Sequence, residues 1–157
     1  MRIRVPGAAA KPVGLDHSRE DDETRFLNVD LDVFSRSHLE PLVAALGRKV
    51  SLNYVGGERG RYSAHLALAN SHRKDADTLI RALAACVNGL PRAARKLWNE
   101  AQSREFNIGI QAGFEPRSYE IRIKTETLAL VARLKGRIGV TTYAAERPSG
   151  RKKTSPR

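Results

Sequence analysis

Three polar residues raise the first question of chemistry. Asn28, Asp30 and Asp32 alternate with Leu27, Val29, Leu31 and Val33, a period of two that puts the polar set on one face of a strand. Successive members would stand roughly 7 Å apart, close enough for Asp30 and Asp32 to share a hard cation such as Mg²⁺. A metal-dependent hydrolase would be built on that pair. Sites of this kind draw ligands from several elements, however, and the other acidic run, Glu20-Asp21-Asp22-Glu23, falls in a stretch without periodicity. The expectation for Asp30 and Asp32 is a solvated strand face that also discourages edge pairing. Neither a metal nor a cofactor is expected.

Other catalytic patterns are weaker. His17, His38, His65 and His72 lie far apart and show no metal-ligand spacing. His65 falls on the polar face of its strand and His38 near a helix start, where a lone histidine reads as structural. Cys86 sits within an apolar helical stripe, which predicts a buried, protonated and inert thiol. No Gly-x-Ser-x-Gly elbow is present. Gly56-Gly57-Glu58-Arg59-Gly60-Arg61 has the glycines of a phosphate loop without its Lys-Ser/Thr end. It also leads into a strand, where no helix dipole would face a phosphate, so it reads as a hairpin turn. No catalytic residue is expected.

Binding chemistry is better represented. From Pro91 to Ala101, the residues Ala94, Leu97, Trp98 and Ala101 form one helical stripe, while Arg92, Arg95, Lys96 and Asn99 share the opposite face. Such a face suits phosphates or an acidic protein surface. A second basic cluster, Arg151, Lys152 and Lys153, lies in a closing stretch with no apolar residue to bury. These six residues are the candidate binding set. Exposed aromatics paired with basic residues, as in a ribonucleoprotein motif, are not evident.

The elements that must position these groups alternate in type. The strand at Leu27–Val33 is followed by a helix opened by a capping box, Ser37-His38-Leu39-Glu40, and closed by Gly47. Val50, Leu52 and Tyr54 alternate outward and Tyr62, Ala64, Leu66 and Leu68 alternate back, a β-hairpin with its loop at Gly56 to Gly60. Leu79, Ile80, Leu83, Ala84, Cys86, Val87 and Leu90 form a helix, and Pro91 starts the basic one. Phe106, Ile108 and Ile110 predict a strand, as do Tyr119, Ile121 and Ile123, before a helix over Leu128–Leu134 and a last strand from Ile138. Leu42-Val43-Ala44-Ala45-Leu46 with Val50 and Leu52 is echoed by Leu130-Val131-Ala132-Arg133-Leu134 with Ile138 and Val140. The expected fold is α+β: one mixed, mostly antiparallel sheet with helices on one face. Two βαβ-like units flank a hairpin and a helix pair.

Composition sets the outer bounds. The chain has 157 residues and a net charge of +11, which suits one domain with an unusual basic excess. Residues 147–157 carry five positive charges and no acid. The expected organisation is an irregular arm at 1–23, one domain at 24–146 and a disordered basic tail at 147–157. No apolar run approaches the roughly 20 residues of a membrane span, no apolar leader is present, and the one cysteine agrees with the cytoplasm.

The closing segment, Ser118-Tyr119-Glu120-Ile121-Arg122-Ile123 through Leu128, Val131 and Leu134 to Ile138-Gly139-Val140-Thr141-Thr142-Tyr143, resembles the end of a family of uncharacterised bacterial domains. That resemblance implies an α+β fold and a bacterial source, and no residue role comes with it. The sequence thus points to a non-enzymatic binding domain. A protein or peptide partner stands ahead of nucleic acid, and the hydrolase comes third.

Overall fold

The structure is a computed structural model that describes residues 23–71 and 74–145. Strand β1 (Arg25–Ser35) follows the alternation of its sequence: Val29, Leu31 and Val33 are buried, while Asn28, Asp30 and Asp32 are half-buried on the other face. The period breaks at Leu27, where the pairing of β1 shifts register between Phe26 and Asn28. A bulge of this kind adds one residue and turns the chain by one face. Leu27 is therefore 42% exposed, and Phe26 packs against the core in its place.

The next elements are α1 (Glu40–Leu46), a 3₁₀ turn (Gly47–Lys49), β2 (Val50–Glu58) and β3 (Arg61–Leu68). The expected capping box does not form. Leu39 is the N-cap and caps with no side chain, and the Ser35 hydroxyl instead accepts from the Ser37 backbone N–H at 3.0 Å. Pro41 in the first turn fixes the helical φ there. The hairpin is also tighter than its glycines suggest. Both strands continue to Glu58 and Arg61, and the turn is Arg59-Gly60 with φ of 51° and 74°, the pair of positive values a two-residue primed turn requires. Gly57 lies within β2 at φ 140°, where a Cβ would collide with the Arg61 carbonyl oxygen. A second register shift, between Leu52 and Tyr54, moves Tyr54 off the face that Leu52 occupies.

Two helices follow, α2 (Ala76–Asn88) and α3 (Arg92–Glu100), then β4 (Ser103–Gln111), α4 (Thr125–Arg133) and β5 (Arg137–Tyr143). The Asp75 carboxylate caps α2 by accepting from the Thr78 N–H at 2.8 Å. The strand expected over Tyr119–Ile123 is absent. Residues 116–124, the later part of the 112–124 connection from β4 to α4, do not enter the sheet, although Ile121 and Ile123 still pack against the core. Alternation alone had marked a strand there, but β4 already holds that position beside β1 and β5.

The sheet order is β2-β3-β1-β4-β5. All neighbours are antiparallel except β4 and β5. The fold is α+β with one mixed, mostly antiparallel sheet. Both strand-helix-strand units exist in altered form. β1 and β2 run parallel with β3 inserted between them, and β4 rather than 119–123 opens the second unit. The helices cover one face, where Leu31, Val33, Leu66, Leu83 and Phe106 are fully buried. Among the described residues, no helix lies on the opposite sheet face.

Candidate functional site

Two surfaces hold the charged and hydrogen-bonding groups that could meet a ligand. The first is α3. Ala94 and Trp98 are buried, Leu97 is half-buried, and Arg92, Lys96 and Asn99 are exposed with Arg95 partly so. The two helical faces thus stand as the sequence spacing predicts. Lys96 approaches Glu100 at 3.8 Å, whereas Arg92 and Arg95 make no ion pair among the described residues.

The seat of α3 is a device that periodicity did not reveal. Arg104, on the covered face of β4 and only 8% exposed, has no carboxylate partner among the described residues. Its Nε donates to the Trp98 carbonyl at 2.6 Å, and its Nη2 donates to the carbonyls of Asn99 and Ala101 at 2.7 and 2.6 Å. The carbonyls of Asn99 and Ala101 are among those that the end of a helix leaves without intrahelical partners, the Trp98 carbonyl also accepts from the Ala101 N–H at 3.3 Å, and a cation there meets the negative pole of the helix. Burial pushes the guanidinium below its ordinary value. The Trp98 indole N–H in turn donates to the Leu134 carbonyl at 3.1 Å, tying the end of α3 to the end of α4. One signal was present in the sequence: Arg104 is in phase with Phe106 and Ile108, so a charge falls on the face that should be apolar.

The second surface is the open face of the sheet, where strand register assembles residues far apart in sequence. One row crosses all five strands as Tyr54, His65, Asp32, Glu105 and Arg137. The next contains Ala67, Asp30, Asn107 and Gly139. His65 Nδ1 lies 2.7 Å from Asp32 Oδ1. A carboxylate only accepts, so Nδ1 is the donor of this contact. The rings of Phe34 and Tyr54 stand 5.7 and 5.8 Å from the His65 ring. At the far end Arg137 donates to Glu105.

Asp30 is the most perturbed group on this face. Its carboxyl is raised above the usual carboxylate range, first by burial and then by the neighbouring charge of Asp32. The side-chain amide of Asn28 opposes this by donating to Asp30 Oδ1 at 3.0 Å, and Asn53 donates to the same oxygen at 3.4 Å. Asp30 and Asp32 do share a face, but their companions are amides and one histidine. No group of three or more histidine, cysteine or carboxylate side chains able to hold a metal is found among the described residues.

A cleft of about 710 Å³ lies between the start of α2 and the 119–124 segment. Its charged groups are largely satisfied within the fold. Asp75 caps α2, Glu120 pairs with Arg122 at 2.8 Å, and Asp77 accepts from the Lys124 N–H at 2.9 Å. Burial pushes the Asp77 carboxyl up, but the Thr127 hydroxyl beside it, the Lys124 N–H, and the charges of Lys124 and Arg81 together hold it below the usual range. Asp77 thereby supplies from α2 the cap that the N-cap residue of α4, Lys124, does not provide.

Of the residues picked from sequence, Arg92, Arg95 and Lys96 come together on α3, while Arg151, Lys152 and Lys153 lie outside the described residues, as do His17 and His72. Cys86 is half-buried at the margin of the α2 stripe, not enclosed within it as expected. The Asp32–His65 contact, Tyr54 beside it and Arg104 were not anticipated. No helix among the described residues is long and apolar enough to cross a membrane. Compared with known proteins, the chain matches no protein-family model, no curated protein and no solved structure.

Proposed function

We propose that this chain is a non-enzymatic binding domain that engages an acidic protein or peptide partner through the outer face of α3. The observation that carries this reading is the pair Arg92 and Arg95, which make no ion pair among the described residues and stand on a helix whose buried side and end are fixed by Trp98 and Arg104. A rigid element presenting uncompensated cations loses little side-chain and backbone freedom on docking. Half-buried Leu97 adds an apolar margin to the charge. Nucleic acid ranks second because α3 exposes no aromatic ring on which a base would stack; the exposed Phe34 and Tyr54 are on the sheet. The same proposal puts the chain in the bacterial cytoplasm, on the resemblance of its closing segment and on a sequence with one cysteine.

The test is a salt series by fluorescence anisotropy, with an aspartate- and glutamate-rich peptide, duplex DNA and single-stranded RNA as probes. The full-length chain should bind the acidic peptide, and Arg92→Gln, Arg95→Gln and Lys96→Gln together should weaken it at least tenfold while preserving the helix. Tighter binding of DNA or RNA, with a steep logarithmic salt dependence, would transfer the reading to nucleic acid. Peptide binding untouched by the triple substitution would remove α3 from it.

A further inference from the structure

The two edges of the sheet are not equivalent. β2 carries the register shift between Leu52 and Tyr54 and holds Gly57 at φ 140°, irregularities of the kind that keep an edge from pairing with another chain. β5 has neither. It pairs with β4 over its whole length without a register shift, and from Ile138 to Tyr143 it contains no charge and no proline. One bond fixes the direction of its backbone. The Tyr143 carbonyl accepts from the Ala112 N–H at 2.8 Å, so Tyr143 turns its N–H and C=O to the β4 side, and alternation turns those of Ile138, Val140 and Thr142 outward. Among the described residues β5 is the last strand of the sheet, and these outward groups need partners that the chain itself does not supply.

The surface above this edge is apolar as well. Val140 is in register with Ile108, which is buried on the covered face, yet Val140 is itself 61% exposed. Helix α2 packs over β1 and β3 and α4 over β5. Leu130 of α4 faces α2 across a small cleft shared with Ala82 and Ala85. Leu128 stands about 200° from Leu130 around the helix, on the side away from α2 and toward the free edge. Leu128 is 47% exposed, and Ala132, one turn on, is exposed beside it.

We propose that a second copy of this chain docks on this edge, β5 against β5 and antiparallel, about a two-fold axis at Val140. In that register Val140 pairs with Val140 of the second copy and Ile138 with its Thr142, so every outward N–H and C=O of the strand is satisfied. An axis at Gly139 would leave Thr142 unpaired, and one at Thr141 would leave Ile138 so. The same register sets Arg137 across from Tyr143 of the second copy on the open face, where a guanidinium can lie against an aromatic ring. On the covered face the two Val140 side chains meet, with Leu128 and Ala132 of each α4 above them. The strand is thus its own complement, which selects a copy of the chain over a foreign strand. Because the irregular β2 edge cannot take the place of β5, the contact closes as a dimer and does not propagate head to tail.

The experiment is sedimentation velocity on the full chain at moderate salt, where repulsion between two chains of charge +11 is screened. A single strand pair with one helix flank falls short of the roughly 800 Å² per partner of a standard interface, so dimerisation should show a Kd on the order of 10 µM, with the mass doubling between about 1 and 200 µM. Val140→Lys puts a charge at an exposed edge position and should raise Kd at least tenfold, with the circular dichroism spectrum unchanged. Leu128→Asn should raise it at least threefold, and Leu52→Lys on the other edge should not move it. Amide exchange in the unaltered chain needs no variant: the N–H groups of Ile138, Val140 and Thr142 should gain protection as concentration rises, and those of β2 should not. A chain still monomeric at about 200 µM, a dimer indifferent to Val140→Lys, or protection that grows on β2 instead would overturn the proposal.

Discussion

Replacing Arg104 by methionine should destabilise the domain by about 3–4 kcal/mol. The substitution removes three short bonds, at 2.6, 2.7 and 2.6 Å, from a charged donor to the carbonyls of Trp98, Asn99 and Ala101. Bonds to charged groups contribute roughly 1.5–3 kcal/mol each, and a buried carbonyl left alone costs a similar amount. Two effects reduce the sum. The guanidinium no longer has to be desolvated, and the carbonyl of exposed Asn99 can turn to water, so about half of the gross loss survives. In urea, with a slope of about 1.5 kcal/mol per molar, the midpoint should fall by about 2–2.7 M. Arg104→Lys keeps the charge but cannot reach three carbonyls at once, and should lose about half as much. The acceptors are uncharged, so moderate salt should change neither difference. A midpoint shift below about 0.5 M for Arg104→Met would refute the claim that this side chain seats α3. Loss of the difference in salt would refute the carbonyl account. Amide exchange across Arg92–Glu100 gives the local readout, and it should accelerate in the variant even in the absence of denaturant.

Two carboxylates should behave oppositely on acidification. Asp77 is held below the usual range, so its contribution is present above the unfolded value of 3.8 and is lost as pH falls through the lower folded value. Asp77→Ala should therefore lose about 2 kcal/mol at neutral pH, with the gap to the unaltered chain narrowing in strong acid, as thermal melts across a pH series would show. Asp30 is raised, so its folded state holds a proton more firmly than its unfolded state, and ionisation opposes folding above the folded value. Asp30→Asn should stabilise the fold slightly at neutral pH, by less than about 1 kcal/mol given its partial exposure, with the gain vanishing as pH falls toward 3.8. A destabilised Asp30→Asn at neutral pH would contradict the burial and repulsion assigned to that carboxyl.

The sequence made the helix pair and the central strand legible because each has a long, clean period. Leu79 through Val87 repeat at helical spacing, and Val29, Leu31 and Val33 at strand spacing. Two single-residue bulges were not legible. Nothing in Phe26-Leu27-Asn28 or Leu52-Asn53-Tyr54 announces an extra residue, yet each one flips the chain that follows or precedes it by one face. For that reason Leu27 was assigned to the core and Tyr54 to the same side as Leu52. The pairing of Asp32 with His65 on the open face was hidden for a second reason. Asp32 and His65 are brought together by pairing of β1 with β3 across a turn, a helix and a hairpin, and local periodicity has no term for such a contact.

The internal echo explains the most consequential misreading and also limits what the repeat means. At a constant offset of 88 residues, Leu46 corresponds to Leu134, Gly47 to Lys135 and Val50 to Ile138. Gly47 and Lys135 both take positive φ, 60° and 55°, so the resemblance extends to the backbone where each helix breaks. The offset carries Leu31, Val33 and Ser35 onto Tyr119, Ile121 and Ile123, which is why 119–123 looks like the strand before a helix. The strand that fills that place is β4, because the connection from β4 to α4 spans 112–124 whereas that from β1 to α1 spans only 36–39. In space the two units oppose each other: β1 and β4 are antiparallel neighbours at the centre, and β2 and β5 form the two edges. The echoed positions are thus a helix, its end and an edge strand, all parts of the scaffold. Asp30, Asp32, Glu105 and Asn107 sit on the central strands, to which the echo does not extend. Substitutions at the echoed core positions, such as Leu46→Ala or Leu134→Ala, should therefore lower stability, as a urea midpoint would show, while leaving the pairing of Asp32 with His65 in place.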